Sequence, residues 1–219
     1  MKRPLVFLGP SLSLEKAKAI IQAEFVPPAK KGDFINLTMS SDKRTIILID
    51  GVFLQDYPPT PIEVFQVIRK PNFQVYGASS LGALRAVELE KFGMKGYGRV
   101  FELYKKNIIN ADDEVAVTFD NEYNLLSEAM IDIRYNLFLA LKNEIIDKET
   151  KLILTRVAKK IYFPLRNYDN ITNNSIKFYP HKREYIQSFQ EFILRHRTSI
   201  KEIDAINLLK KIAVTEHDD

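Results

Sequence analysis

The sequence predicts an α/β protein in which a parallel sheet flanked by helices, of the Rossmann-like type, is followed by a helical C-terminal region. Three observations lead to this fold class. Short apolar runs alternate with helical patterns in the first half of the 219-residue chain, as strands and crossover helices do in parallel sheets. All eight glycines lie between Gly9 and Gly98, which confines the tight turns to that half. Beyond Gly98, apolar residues recur at helical spacing, so helix packed on helix is predicted there.

Strands and helices alternate in the first half. The predicted strands are residues 5–8, 45–49 and 73–76. The middle strand is apolar over most of its length, which is typical of a strand buried on both faces of a sheet. The predicted helices cover residues 13–23, begin at residue 60, and cover residues 79–92. Ser13 is suited to cap the first helix, and Thr60 with Glu63 forms a capping box at the second, which has Pro61 at its first position.

The second half is predicted to contain further helices. They cover residues 100–107, 126–144, 148–161, 182–197 and 199–214. We therefore expect an α/β core over residues 1–145 and a helical C-terminal region over residues 146–219. Residues 164–180 are rich in Asn and begin and end with Pro, so a linker is expected there.

The positive charge of the chain is concentrated near its C-terminus. Residues 151–219 carry a net charge of +5, which either belongs to solvated helix faces or contacts an acidic partner. No nucleic-acid motif accompanies this charge, so contact with a protein is favoured over contact with nucleic acid.

Composition excludes several kinds of chemistry. Without cysteine, the chain has no disulfide, thiolate metal site, iron–sulfur cluster, thiol nucleophile or persulfide of its own. Its histidines, His181, His196 and His217, lack the spacing of a metal motif. We therefore expect no cofactor and no metal. No apolar run reaches the ~20 residues of a membrane span, and the N-terminal apolar segment is too short for a secretory signal, so a cytoplasmic protein without membrane contact is expected.

Three loops should meet at one edge of the predicted sheet. They are residues 9–11, 50–51 and 77–80, and each follows an apolar strand. Open parallel sheets bind ligands where their strands end and their helices begin. Gly9, Ser11 and Asp50 are therefore candidate site residues, together with Ser79 and Ser80 of the third loop.

The third loop and the start of its helix, residues 77–82, form a serine turn with three interpretations. The turn resembles a nucleophile elbow, in which a serine attacks and backbone N–H groups form an oxyanion hole, although Gly77 and Gly82 do not have the GxSxG spacing. The start of the helix could instead bind an anion without chemistry. The plainest interpretation has Ser79 as N-cap and Gly82 as a close-packing position.

Charged residues near the turn also have alternative roles. Arg85 and Glu88 lie three residues apart on the predicted helix and share a face. Arg85 could bind a phosphate or carboxylate at the turn, or pair with Glu88 on the surface. A carboxylate cluster follows further along the chain: Asp112, Asp113 and Glu114. It precedes an apolar, strand-like run at residues 115–117 and could supply a general base, a Mg²⁺ site, a dock for a cationic partner, or only a solvated acidic turn.

Several of these motifs, taken in order, resemble the TfuA-like family. The main ones are Gly77–Ala86, Phe92–Gly98, Phe101-Glu102 with Tyr104, and Asp112–Val117. Shorter matching segments are Gly9–Ser11, Pro27–Ala29, Gly32-Asp33, Asp50–Phe53, Leu126–Met130 and Ile133-Arg134. The resemblance extends from about Gly9 to Arg134. Relatives often carry a histidine after the Asp112–Val117 segment, where this chain has Thr118, Phe119 and Asp120.

The resemblance implies a role in peptide backbone thioamidation. Members of the family act beside YcaO-type enzymes, which use ATP to phosphorylate a backbone amide oxygen that sulfide then replaces. The TfuA-like partner is thought to hydrolyse a thiocarboxylated sulfur-carrier protein and so release sulfide, to stimulate the YcaO-type enzyme, or both. The substrates include ribosomally made peptide natural products.

The resulting prediction is a protein that assists YcaO-dependent thioamidation by releasing sulfide from the carrier. Its predicted catalytic residues are Ser79, Ser80, Asp50 and Asp113. Its predicted substrate-binding residues are Gly9, Ser11, Gly77, Gly82, Arg85, Glu88, Asp112 and Glu114, with Arg85 orienting the C-terminus of the carrier. The expected partners are a YcaO-type enzyme and the thiocarboxylated sulfur carrier, without nucleic acid. The alternatives are a non-catalytic protein that recruits or activates a YcaO-type enzyme through its basic C-terminal region, and a nucleotide-binding α/β protein.

Overall fold

The chain forms two structural units in the computed structural model, which describes residues 2–53 and 56–217. The first unit comprises Met1–Asp112 with Lys201–Asp219, and the second comprises Asp113–Ile200. The division expected from the sequence lies near residue 145 and places the last helix in the helical region, whereas these two units divide after residue 112 and the first of them includes the last helix. Within the two described ranges, no helix is both long enough and apolar enough to cross a membrane.

A five-stranded sheet lies at the centre of the first unit, and all of its neighbouring strands are parallel. The strands are β1 Leu5–Phe7, β2 Glu24–Val26, β3 Arg44–Leu48, β4 Phe73–Ala78 and β5 Lys95–Tyr97. Their order is β2-β1-β3-β4-β5. The predicted parallel sheet is therefore confirmed. β2 and β5, which the sequence does not reveal, have three residues each and are partly exposed, so they lack a recognisable apolar run.

The helices of the described residues flank the sheet and form the second unit. They are α1 Leu14–Ile20, α2 Asp33–Thr38, α3 Pro61–Ile68, α4 Leu81–Leu89, α5 Arg99–Lys105, α6 Met130–Lys142, α7 Lys148–Lys160, α8 Tyr168–Phe178, α9 Arg183–His196 and α10 Ile200–His217. Two predicted helix starts are found. The Ser13 hydroxyl accepts a hydrogen bond from the N–H of Lys16 at α1, and Thr60 and Glu63 form the capping box at α3. The predicted helical C-terminal region is confirmed.

The strand order creates a topological switch point between β1 and β3. From β1 the chain moves to β2 at one edge, and from β3 it continues through β4 to β5 at the other. The carboxyl ends of the two strands at such a point border a crevice, where open α/β sheets bind their ligands. The loops that follow β1 and β3 begin at this crevice.

The last helix, α10, completes the core of the first unit. Its buried residues Ala205, Leu208, Leu209 and Ile212 pack in one cluster with Val6, Leu8, Ile47, Ile49 and Ala78 of the sheet and Leu12, Ala17 and Ile21 at α1. The carboxylate of Asp204 accepts hydrogen bonds from the N–H groups of Arg99 (2.8 Å) and Val100 (2.7 Å). These N–H groups at the start of α5 have no partner within their helix. Asp204 therefore caps α5 from 104 positions further along the chain.

The second unit packs α6, α7, α8 and α9 around a core of its own. That core includes Met130, Ile133, Leu137, Leu154, Ile171, Ile186 and Phe189. Residues 164–180, expected to be a linker, contain α8. The Asn167 side chain caps this helix by accepting a hydrogen bond from the N–H of Asn170 (2.7 Å), so asparagines that suggest a loop serve a helix here. The apolar run at residues 115–117 is buried but forms no strand.

Candidate functional site

Ser79 forms the bend between β4 and α4. Its φ is 70°, in the left-handed region that costs a non-glycine residue about 1–2 kcal/mol. The side chain is fully buried, and its Oγ has no hydrogen-bond partner among the described residues. Backbone strain and unsatisfied buried polar groups both concentrate at functional sites. A strained serine between a strand and a helix is also the arrangement of a nucleophile elbow.

Ser80, also buried, is the N-cap residue of α4. Its side chain makes no capping hydrogen bond, and its N–H donates to the carbonyl of Ala78 (2.9 Å). The N-cap role suggested for Ser79 is therefore not found. In the first turn of α4, the N–H groups of Gly82 and Ala83 already donate to the carbonyls of Ile49 and Ser80. The helix therefore brings the positive end of its dipole, and not a set of free donors, beside the two serines.

Gly77 and Gly82 allow α4 to begin directly against the sheet. A Cβ atom at Gly77 would overlap the carbonyl oxygen of Gly82, and one at Gly82 would overlap the carbonyl oxygen of Leu48. The N–H of Gly82 donates to the carbonyl of Ile49 (3.2 Å). Neither position has room for a side chain, because backbone atoms lie where its Cβ would be. Glycine at both positions is therefore needed for the close packing of the turn that carries the serines.

Asp50 joins the ends of β1 and β3 at the switch point. Its Oδ2 accepts hydrogen bonds from the N–H groups of Gly9 (2.9 Å) and Ser11 (3.1 Å), and its Oδ1 accepts one from the Ser11 hydroxyl (2.6 Å). The Asp50 carboxylate is almost completely buried, and hydrogen bonds of this kind offset the free-energy cost of burying a charge. Gly9, Ser11 and Asp50, all predicted site residues, therefore form one network.

The loops that follow β3 and β4 are in direct contact. A Cβ atom at Gly51 would overlap the side chain of Leu81, the first residue of α4, and the Gly82 N–H reaches the chain just before Asp50. The loops after β1, β3 and β4 therefore lie side by side at the carboxyl edge of the sheet, because parallel strands end at the same edge.

The loop that follows β2 also belongs to this edge. The N–H of Ala29 donates to the carbonyl of Asp50 (2.9 Å), and the carbonyl of Ala29 accepts from the N–H of Val52 (3.1 Å). A Cβ atom at Gly9 would overlap the ring of Pro28. This loop appears in the sequence only within the family motif Pro27–Ala29, because β2 is too short to be recognised.

Arg85 fixes the segment that precedes α3. Its Nε donates to the carbonyl of Pro59 (2.9 Å), and its Nη1 donates to Oε2 of Glu88 (2.8 Å). Arg85 is 8% exposed, so the pair with Glu88 is more shielded than a typical surface pair. Both partners of this guanidinium lie within the first unit.

Two carboxylates of the cluster, Asp113 and Glu114, are bound by cations of the second unit, to which they belong. Asp113 accepts hydrogen bonds from Nζ of Lys159 (2.5 Å) and Nη2 of Arg166 (2.8 Å). Burial alone would raise the pKa of Asp113, but the hydrogen bonds from Lys159 and Arg166 lower that pKa below its ordinary value. Asp112 is exposed. Asp113 is thus a poorer proton acceptor than a free aspartate.

Glu114, the third member of the cluster, is buried and receives a bidentate pair from Arg134. The Nε and Nη2 atoms of Arg134 lie 2.8 and 2.9 Å from the two carboxylate oxygens, and Nζ of Lys159 lies 3.0 Å from one of them. Asp113 and Glu114 are therefore paired with cations of the chain, while Asp112 is exposed. Across residues 2–53 and 56–217, no group of His, Asp and Glu side chains is arranged to hold a metal ion.

Some features of this site cannot be recognised from the sequence. The φ of Ser79 and the isolation of its hydroxyl depend on the packing of Gly77 and Gly82 against β3 and β4. The cations that bind the carboxylate cluster are 20 or more positions away along the chain.

The comparison with known proteins identifies a match to one protein family. No curated protein matches the chain. The model of the TfuA-like protein family matches residues 50–167, a range that contains Asp50, the serine turn, Arg85 and the carboxylate cluster. This range is more than half of the chain, and the protein therefore belongs to the TfuA-like protein family.

Proposed function

We propose that this protein releases sulfide from a thiocarboxylated sulfur-carrier protein, for use by a YcaO-type enzyme in peptide backbone thioamidation. The observation that supports the proposal most strongly is Ser79, whose strained backbone and buried, unpartnered hydroxyl lie between β4 and α4. A thiocarboxylate is an acyl group, and a serine at such a turn, with the positive end of a helix dipole beside it, is suited to attack one.

The proposed reaction has two steps. The Oγ of Ser79 forms a bond to the carbonyl carbon of the thiocarboxylate, the carbon–sulfur bond breaks, and the serine proton leaves with the sulfur as hydrosulfide. Water then hydrolyses the serine ester, which regenerates the hydroxyl and releases the carrier carboxylate and a proton. In the first step the departing sulfur accepts the serine proton, so this step requires neither a histidine nor a free carboxylate beside Ser79.

The other residues at the carboxyl edge of the sheet stabilise the reacting group or hold the loops in place. The Ser80 hydroxyl and the positive end of the α4 dipole stabilise the oxyanion. Asp50, through Gly9 and Ser11, holds the loop after β1 against the end of β3. Arg85 and Glu88 hold the segment at Pro59. Asp113 is left out of the chemistry because Lys159 and Arg166 already bind its carboxylate.

A non-catalytic activator of a YcaO-type enzyme is the second candidate. The observation in its favour is that the Ser79 hydroxyl has no hydrogen-bonded base among the described residues. In that case the serine turn recognises the thiocarboxylate or another anion at the start of α4 without cleaving it.

One experiment separates the two candidates. The purified protein is incubated with a thiocarboxylated carrier alone, and sulfide is measured; in parallel, thioamidation by the YcaO-type enzyme is measured with free sulfide supplied. The proposal predicts sulfide release without the enzyme and little further stimulation when sulfide is in excess. No release from the carrier, together with stimulation at saturating sulfide, would instead establish the activator.

A further inference from the structure

A groove of about 470 Å³ lies between α7 and α8 in the second unit. It is lined by Arg156, Val157 and Lys160 of α7 and by Asn174 and Phe178 of α8, with Tyr179 at its end. This volume is within the range of sites that bind small molecules or single anchoring side chains. None of these residues belongs to the serine turn or to its supporting network, so the groove is independent of the proposed sulfide-releasing site.

Two cations at the groove form no ion pair with any carboxylate of residues 2–53 and 56–215. Arg156 and Lys160 are both exposed, and their spacing of four residues places them on adjacent turns of one helix face. The ion pairs among the described residues of the second unit use five other cations: Arg134, Lys159, Arg166, Lys182 and Arg197. Arg156 and Lys160 are therefore available to bind two carboxylates about one helical turn apart.

Exposed apolar side chains lie in the groove and next to it. Phe178 is 65% exposed, and Leu152, on the same face of α7 as Arg156, is 63% exposed. Exposed apolar side chains beside unpaired charges are typical of a protein contact surface. A surface that runs over Leu152, Arg156 and Lys160 is longer than the pocket itself, which favours a peptide segment over a compact ligand such as a nucleotide.

We propose that this groove docks an acidic segment of a partner protein in which an apolar side chain lies between carboxylates. The carboxylates pair with Arg156 and Lys160, and the apolar side chain packs against Val157 and Phe178. Charge complementarity identifies the partner chemistry, because the two unpaired cations attract acidic segments and repel basic ones.

The test is an NMR titration of the ¹⁵N-labelled full chain with the peptide Glu-Leu-Glu-Glu-Leu-Glu. The expected result is a set of shift changes confined to residues 152–161 and 174–179, including the side-chain amide of Asn174. The double variant Arg156→Glu/Lys160→Glu should weaken binding at least about tenfold. The matched variant Lys142→Glu/Lys148→Glu changes the net charge equally at exposed positions of the same unit, and these two lysines are outside the ion pairs found among the described residues of that unit. This variant should bind like the original protein.

A second peptide keeps the test independent of the folding of the variants. The peptide with Gln in place of every Glu should bind the original protein at least about tenfold more weakly than the acidic peptide. Equal binding of the two peptides would overturn the proposal, as would equal loss in the two double variants or shift changes spread over the basic surface. If ADP displaced the peptide and shifted the same resonances, the occupant of the groove would be a nucleotide and not a peptide.

Discussion

The hydroxyl of Ser11 donates a hydrogen bond of 2.6 Å to the carboxylate of Asp50, across the point where β1 and β3 end side by side. Two backbone N–H groups, those of Gly9 and Ser11, donate to the other oxygen of the same carboxylate. One buried charge thus sets the position of the loop after β1 at the switch point of the sheet. Gly51, the next residue, touches the first residue of α4, which follows the serines directly.

We expect Asp50→Asn to destabilise the first unit. With the amide oxygen in the place of Oδ2, the NH₂ would take the place of Oδ1, and the Ser11 hydroxyl would lose the acceptor of its proton. The two backbone hydrogen bonds would also lose their charged acceptor, so we expect a cost of about 1–3 kcal/mol. Thermal unfolding followed by circular dichroism measures this loss. Glu15→Gln, which makes the same kind of change on the exposed face of α1, should leave the midpoint within about 1 °C. An unchanged midpoint for Asp50→Asn would show that the network does not hold the loops.

Ser79→Ala should stabilise the protein, in contrast to most changes of buried residues. It removes a buried hydroxyl that has no hydrogen-bond partner in the part of the chain that the structure describes, and we expect a gain of about 1 kcal/mol in the free energy of unfolding. Ser79→Gly should also be stabilising, because glycine adopts a φ of 70° without strain. Ser13→Ala is the matched control. It removes the hydroxyl that caps α1 and should cost about 1 kcal/mol. Urea unfolding of the three variants measures these differences, and a loss of stability in Ser79→Ala would mean that its hydroxyl has a partner.

Removal of α10 should unfold the α/β unit. Leu208 is fully buried against the sheet cluster, so Leu208→Ala should cost about 2–5 kcal/mol. Val214→Ala, on the same helix at a position that is 63% exposed, should change stability by less than about 0.5 kcal/mol. A chain that ends at residue 200 should show no cooperative unfolding of the sheet. A folded, truncated α/β unit would contradict the assignment of α10 to this core.

Asp147 should make stability depend on pH in acid. A hydrogen bond from Lys182 and, to a smaller extent, hydrogen bonds from Thr150 lower the pKa of Asp147 to about 2. Because this value is below the ordinary value of about 3.9, the stabilisation is present above about pH 4 and is lost as the pH falls through about 2. Asp147→Asn should therefore cost about 0.5 kcal/mol at neutral pH and less near pH 2.5. Urea unfolding at both pH values measures the difference, with the exposed Asp169→Asn as control; an equal cost at both would exclude a contribution from ionisation.

The parts of the fold that local residue patterns determine were predictable. Apolar runs identify β1, β3 and β4, and Ser13 and the Thr60–Glu63 box identify two helix starts, because strand burial and helix capping depend on neighbouring residues. The cap of α5 by Asp204 is determined by tertiary packing, and no local pattern reveals it. The helix at residues 168–178 was missed because its asparagines, which also suit turns, act as a cap and as exposed helix positions.

The candidate site was predictable in position and less so in detail. Parallel strands end at one edge, so the loops at Ser11, Asp50 and Ser79 could be expected to meet there. The bend at Ser79 goes with the close approach of Gly77 to Gly82 and of Gly82 to Leu48 of β3. The partners of Asp113 lie on α7 and in the segment between α7 and α8. Such contacts between distant positions are not encoded in any local motif.

The most direct test of the proposed role of Ser79 is the single-turnover rate of sulfide release from a thiocarboxylated carrier by Ser79→Ala. Because this variant is expected to be folded and at least as stable as the original, a loss of rate reports on chemistry and not on unfolding. The proposal predicts a fall of about 10²-fold or more, while Ser13→Ala keeps the original rate at a temperature where it is fully folded. Release by Ser79→Ala at the rate of the original protein would contradict the assignment of Ser79 as the acyl acceptor.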